Sequence, residues 1–186
     1  MAGGWKSGCI ARRPTEMGAY RVRAINPQSP AEVELVAFRM RQTLVEVLGE
    51  EVGGKMYTMD WLVQRLLWHL DPNQCVGQVF LAEDGEGHIT GHTIVRIELD
   101  EAGREVGLFS TFFVEPGSRN QAIATNLVAQ GERWMMNHGM RTAMTYTAET
   151  NEKLKGLLLK LGYHFVPVQN EMVALSKPLI DPNPMP

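Results

Sequence analysis

Phe112-Phe113-Val114-Glu115-Pro116-Gly117-Ser118-Arg119-Asn120-Gln121-Ala122-Ile123-Ala124 is the stretch on which the reading of this chain turns. Its apolar opening closes a run of strand-forming residues, 106–114, and the Pro116-Gly117 pair makes a tight turn. From Asn120 onward, the spacing of Ile123, Leu127, Gln130 and Trp134 predicts a long helix over 120–137, stopped by Gly139. A strand that turns straight into a helix delivers the helix's first N–H groups, which lack internal acceptors, to one point above the strand end. Together with the helix dipole they favour a bound phosphate. Arg119 adds a full charge beside them, and the small Ala122 and Ala124 let a large anion come close to the main chain.

Strands and helices alternate on either side of this stretch. Upstream, residues 19–24 alternate like a first strand, and Ser29 before Pro30 opens a helix carrying Val33, Val36, Ala37, Met40, Leu44, Val47 and Leu48 as far as Gly49. A second helix fits 58–70, with Leu62, Leu66, Leu67 and Leu70 on one side and Asp71-Pro72 stopping it. Strands over 76–82, 89–99 and 106–114, parted by turn-rich segments, read as an antiparallel meander. Downstream come a short strand over 142–147 and a helix capped by Thr150 or Asn151. That helix turns Leu154, Leu157, Leu158 and Leu161 to the core and ends at Gly162. Strands over 163–168 and 171–175 close the chain. The order β-α-α-β-β-β-α-β-α-β-β predicts an α/β chain (α+β in its mixed sheet), with a central, mostly antiparallel sheet flanked by helices and one βαβ crossover.

A length of 186 residues with 44% hydrophobic content supports one domain, expected over 19–177. Residues 1–18 read as an N-terminal arm and 178–186 as a Pro-rich tail. The formal charge of -3 provides no long-range attraction for nucleic acid or an anionic membrane. The start of the chain is nonetheless locally basic through Lys6, Arg12, Arg13, Arg21, Arg23, Arg39 and Arg41. Arg12-Arg13 is followed by Pro14 and no apolar segment, and no apolar run is long enough to span a bilayer. Cys9 and Cys75 lack any C-x-x-C partner, so the expectation is reduced thiols in the cytoplasm and no zinc site.

Residues 114–124, written V-x-P-x-x-R-x-x-A-x-A and followed by Leu127, resemble motif A of the GNAT superfamily of acetyl-CoA-dependent N-acetyltransferases. Asn151 with Leu154, Leu157, Gly162 and Tyr163 is similar to that superfamily's motif B. The resemblance covers residues 76–177 and implies the GNAT fold with acetyl-CoA as co-substrate. It places Phe112, Phe113 and Val114 beside the pantetheine arm, and Arg119, Asn120, Gln121, Ala122, Ile123, Ala124 and Thr125 at the pyrophosphate. It also sets Asn151 near the acetyl end. A splay between the strands flanking the long helix is part of the same expectation. Two positions depart from the pattern: Ala122 stands in place of a glycine, and Leu158 in place of the tyrosine that protonates the leaving thiolate.

The implied activity is direct attack of a primary amine of a small molecule, peptide or protein on the thioester. The alternative is a catalytically silent protein of the same fold acting as a binding or assembly component, and a homo-oligomer fits either. No catalytic residue is assigned; Glu105, Tyr146 and Glu149 are the polar groups near the expected site. Residues 49–56 nearly match a Walker A loop, but Met56 cannot ligate Mg²⁺ and the segment follows a helix, so 49–58 reads as a flexible interhelical loop bordering the acceptor site. Acidic Glu50, Glu51 and Asp60 there suit a cationic amine. His88 and His92 fall on a strand, about 13 Å apart, too far to share a metal.

Overall fold

The computed structural model describes residues 20–119, 122–168 and 172–179. The expected arm 1–18, the tail beyond residue 179, and Asn120 and Gln121 lie outside the described residues. Among the described residues seven strands form one sheet: β1 (Arg21–Ala24), β2 (Gly77–Glu83), β3 (Ile89–Leu99), β4 (Glu105–Val114), β5 (Thr142–Thr147), β6 (His164–Val166) and β7 (Val173–Pro178). Their order is β1-β2-β3-β4-β5-β7-β6. Neighbours are antiparallel except β4 and β5, which run parallel because helix α4 (Ile123–Asn137) carries the chain back between them. The mixed sheet expected from the sequence is therefore present, with its crossover at the expected place.

Both faces of the sheet are covered. Along β2, Val79 and Leu81 pack with α1 (Pro30–Leu48) and α3 (Met59–Leu70), whereas Phe80 and Ala82 pack with α4 and α5 (Glu152–Lys160). This two-sided burial explains why 79–82 reads as a continuous apolar run where a one-sided strand would alternate. The helices begin where their caps dictate. Ser29 accepts from the Glu32 N–H with Pro30 at the first helical position, and Thr58 accepts from the Trp61 N–H at 3.2 Å. Among the described residues, no helix is long and apolar enough to cross a membrane.

Three expectations are corrected. The segment 49–58 is not simply a flexible loop: Glu50–Gly53 forms a helical turn, α2, packed against α1. Gly53 makes this approach possible, since a Cβ there would lie 2.2 Å from the Leu44 carbonyl oxygen. Helix α4 spans Ile123–Asn137 after Ala122 at its N-cap, and its buried stripe is Ile123, Leu127, Val128, Gly131 and Met135. The stripe is turned away from Gln130 because Gly131 leaves room for the Phe109 ring, which would sit 2.3 Å from a Cβ at that position. The last strand, β7, begins at Val173 and runs to Pro178, and β6 spans just His164–Val166. Of the basic residues at the start of the chain, Lys6, Arg12 and Arg13 lie outside the described residues, while Arg21 and Arg23 share Glu83 and Arg23 also binds Glu32.

Gly131→Ala is expected to destabilise the protein by about 1–3 kcal/mol in urea unfolding, as overpacking against a buried ring does. A loss below about 0.5 kcal/mol would show that Phe109 does not fill the space beside Gly131.

Candidate cofactor site

Strands β4 and β5 pair at Gly107↔Ala143, Leu108↔Met144 and Phe109↔Thr145, and then part. The last rung is tightened by the Thr145 hydroxyl, which donates to the Phe109 carbonyl at 2.9 Å. The register between β3 and β4 shifts there: Val95 faces Phe109 while Ile94 faces Thr111, leaving Ser110 as an extra residue. A bulge of this kind bends the strand that carries it. Residues 111–114 continue against β3 alone, so their other edge opens into a fork.

Backbone phase decides which groups face the fork. Glu115 donates its N–H to Thr90, and in an antiparallel ladder the direction alternates, so Phe113 spends its main chain on β3 while Phe112 and Val114 turn theirs into the fork. The Val114 carbonyl accepts from Arg119 Nε at 2.9 Å, and the Phe112 carbonyl lies 3.5 Å from the Thr43 hydroxyl. The Phe113 side chain is buried on the α1 side, and those of Phe112 and Val114 pack toward α4.

One lip of the fork is the turn into α4. After the 3₁₀ turn Pro116–Ser118, Ala122 adopts the left-handed conformation (φ 60, ψ 8) and no side chain caps the helix. Among the described residues, Ala122 is the one non-glycine with positive φ. The first intrahelical bond is Asn126 N–H to the Ala122 carbonyl, so the N–H groups of Ile123, Ala124 and Thr125 precede the helical ladder. The other lip is the start of α5. Asn151 caps it by accepting from the Leu154 N–H at 3.3 Å and holds the end of β5 by donating to the Thr147 hydroxyl at 2.9 Å.

The chain's similarity to known proteins bears on this geometry. A family model described as the acetyltransferase (GNAT) family matches residues 40–163, which span the fork and both lips. This chain belongs to the GNAT acetyltransferase family. Among solved structures it is similar in fold to the PaiA N-acetyltransferase of Thermoplasma acidophilum in complex with coenzyme A, with TM-score 0.68, 12% identity, and 86% of this chain and 99% of that chain covered. It is also similar to a GNAT family acetyltransferase of Staphylococcus aureus, with TM-score 0.66, 15% identity and coverage of 87% and 100%. The NatC complex bound to Gag peptide and CoA has TM-score 0.67, 16% identity and coverage of 87% and 99%. No curated protein matches the chain.

Within this GNAT frame the charged groups at the fork are already engaged. Arg119 does not stand as a free charge beside the helix end: its Nη1 and Nη2 donate to Glu46 of α1 at 2.9 and 2.7 Å. Lys153, in the first turn of α5, reaches the same carboxylate at 2.9 Å. Arg119 first and Lys153 second hold the Glu46 carboxyl down at about 2. Glu46 and Lys153 escape sequence reading because their partners are distant in the chain, and a lone acidic residue on a helix carries no local signal.

Beneath the turn, the buried Arg39 bonds to the Glu115 carboxylate and the Ile89 carbonyl, with its guanidinium 5.2 Å from the Phe113 ring centre. A cleft of about 350 Å³ opens beside it, lined by Leu35, Phe38, Gln42 and Pro116 among others. His92, fully buried, stacks on the opposite strand's Phe113 with centroids 5.9 Å apart. Burial, and then the neighbouring Arg39, push its imidazole down to about 3.

Leu158 is fully buried in the core under α5, so the thiolate-protonating hydroxyl of the family pattern has no counterpart at this position. The nearby Tyr163 is committed to Glu132, to which it donates at 2.9 Å, and burial first and that carboxylate second push its pKa far up. Of the other polar candidates, Glu105 sits at the far end of β4 opposite Leu99, and Glu149 is exposed beyond β5. Tyr146 lies one residue past the last β4–β5 rung, packed beside Leu108 and Met144 on the face away from α4. Its hydroxyl pKa is raised by burial, then by Glu98, Glu101 and Asp100. Among the described residues no group of three or more His, Cys, Asp or Glu side chains is placed to hold a metal.

Ala122→Gly is expected to stabilise the fold by about 0.5–1 kcal/mol, because glycine removes the left-handed cost that alanine bears; a loss of stability on urea unfolding would contradict the assigned backbone. A second expectation concerns pH. His92 and His69, both pushed down to about 3, are neutral when folded, whereas the unfolded chain binds their protons from about pH 6.5 downward. Their stabilisation is complete above that pH and is lost toward pH 3, each contributing up to about 1.4 kcal/mol per pH unit. His92→Leu should flatten the fall of the urea midpoint between pH 6.5 and 4. An unchanged slope would place the His92 ring in contact with water.

Proposed function

We propose that the protein transfers the acetyl group of acetyl-CoA to a primary amine of a small molecule, peptide or protein. The observation that carries this reading is the open β4 edge lying beside an uncapped α4 N-terminus, two features that suit the two halves of one cofactor. In this reading the fork-facing backbone of Phe112 and Val114 pairs with the pantetheine amides, with Phe113 holding the strand in place from behind. The N–H groups of Ile123, Ala124 and Thr125 meet the pyrophosphate, joined by Arg119 and the neighbouring Asn120, Gln121 and Ala122. Asn151 fixes the α5 lip near the acetyl end.

The thioester supplies an activated acyl carbon. The amine nitrogen attacks it, the C–N bond forms, the C–S bond breaks, and the proton lost by nitrogen ends on the departing thiolate. This route requires the amine to arrive unprotonated. In this reading the acceptor approaches beside α1 and α3, on the face opposite α4 and α5. Glu50, Glu51 and Asp60 are exposed on that side and suit a cationic acceptor. The buried, unpaired Cys75 fits a reducing cytoplasm.

One observation, the buried Leu158, favours the second reading of a silent binding component. Titration with acetyl-CoA tests the first step. At about 100 times Kd, the ligand is expected to add about 2.7 kcal/mol and raise Tm by roughly 5–10 °C. No shift at millimolar acetyl-CoA would refute the cofactor reading. A shift without thiol release across a panel of amines and N-terminal peptides would favour the silent component.

A further inference from the structure

We propose that Glu46 stands in for a cofactor phosphate: in the free protein its carboxylate holds Arg119 and Lys153 together across the fork mouth, and a phosphate of the bound ligand replaces it on both. This inference rests on the reading that the fork receives CoA, and it adds Lys153 as a phosphate-binding residue and Glu46 as its built-in competitor.

Three separate elements meet at this carboxylate. Arg119 belongs to the α4 lip, Lys153 to the first turn of the α5 lip, and Glu46 to α1 on the opposite face of the sheet. The two lips follow the C-terminal ends of the parallel strands that part after Phe109, so the bridge lies across the opening that a ligand must use. Arg119 grips Glu46 through both terminal nitrogens, a planar two-point geometry that a phosphate accepts equally well. Its Nε stays on the Val114 carbonyl, which keeps the guanidinium aimed at the mouth whichever anion it holds.

The charge balance favours exchange. Two cations share one carboxylate and leave a surplus positive charge, next to helix N–H groups that add more positive potential. A diphosphate or phosphate monoester carries more negative charge than a carboxylate and can take both cations and the helix end together. Glu46 remains exposed enough to swing away, with its side chain 39% accessible. Once displaced, it faces the ligand's negative charge, so cofactor binding works against Glu46 both in releasing the bridge and in the repulsion that follows.

Calorimetric titration with CoA and with S-acetylpantetheine, which has no phosphate, tests this on the wild type and on Glu46→Gln, Lys153→Ala and the double variant. Glu46→Gln is expected to tighten CoA by about fivefold or more and to leave S-acetylpantetheine unchanged. Lys153→Ala should weaken CoA, and in its background the gain from Glu46→Gln should shrink. If Glu46→Gln weakens CoA or leaves it unaltered while the wild type binds, Glu46 is a strut that positions Arg119, and the proposal fails while the cofactor reading stands. Equal tightening of both ligands would assign the gain to something other than phosphate and also overturns it. If no form binds CoA, the cofactor reading itself fails and takes this proposal with it.

Discussion

The structure depends on the parting of β4 from β5 after three paired residues. Parallel strands joined by a helix normally zip along their shared length, because an unpaired main-chain group inside a protein is costly. Here the extra residue at Ser110 bends β4 away, and the lost rungs become a wedge with polar walls. A ligand with amides along its length can complete the ladder that β5 abandons. The residues matched by the GNAT family model, 40–163, include both strands of this wedge.

Keeping the wedge open requires β4 to be held from behind, and the chain does so with buried polar and aromatic groups. Phe113 sits between His92 and Arg39, and Arg39 ties the Glu115 turn to the start of β3. Through Nη2 the buried guanidinium holds a carboxylate and a carbonyl, which offsets part of its burial, while its Nη1 has no hydrogen-bond partner among the described residues. Thr43 and Glu46, one helical turn apart on α1, reach β4 and the lips above it. Helix α1 thus acts as the backrest of the site as well as one wall of the core.

Most of the architecture was legible in the sequence because it is local. Caps at Ser29 and Asn151, and glycines at 49, 139 and 162 with positive φ, mark the ends of elements where turn chemistry leaves few choices. The strand-turn-helix around Pro116 was readable for the same reason. What was not legible is tertiary. The α4 stripe shifted because a ring from β4 needs the space at Gly131, and α2 formed because Gly53 could press onto α1. Arg119 looked like a free charge in sequence, but its partner Glu46 lies far upstream, on an otherwise ordinary solvent-facing helix position. The same distance hid Lys153. The direction of the Phe113 backbone needed the register against β3, which periodicity alone does not specify.

The central claim is that particular backbone groups, two on β4 and those at the start of α4, form the cofactor contact. Amide hydrogen exchange resolved to single residues, with and without saturating CoA, addresses it directly. The account expects new protection at Phe112, Val114, Ala124 and Thr125, with little change at Phe113, whose main chain already pairs with β3. Protection confined to other parts of the sheet, with those four amides exchanging as before, would contradict it.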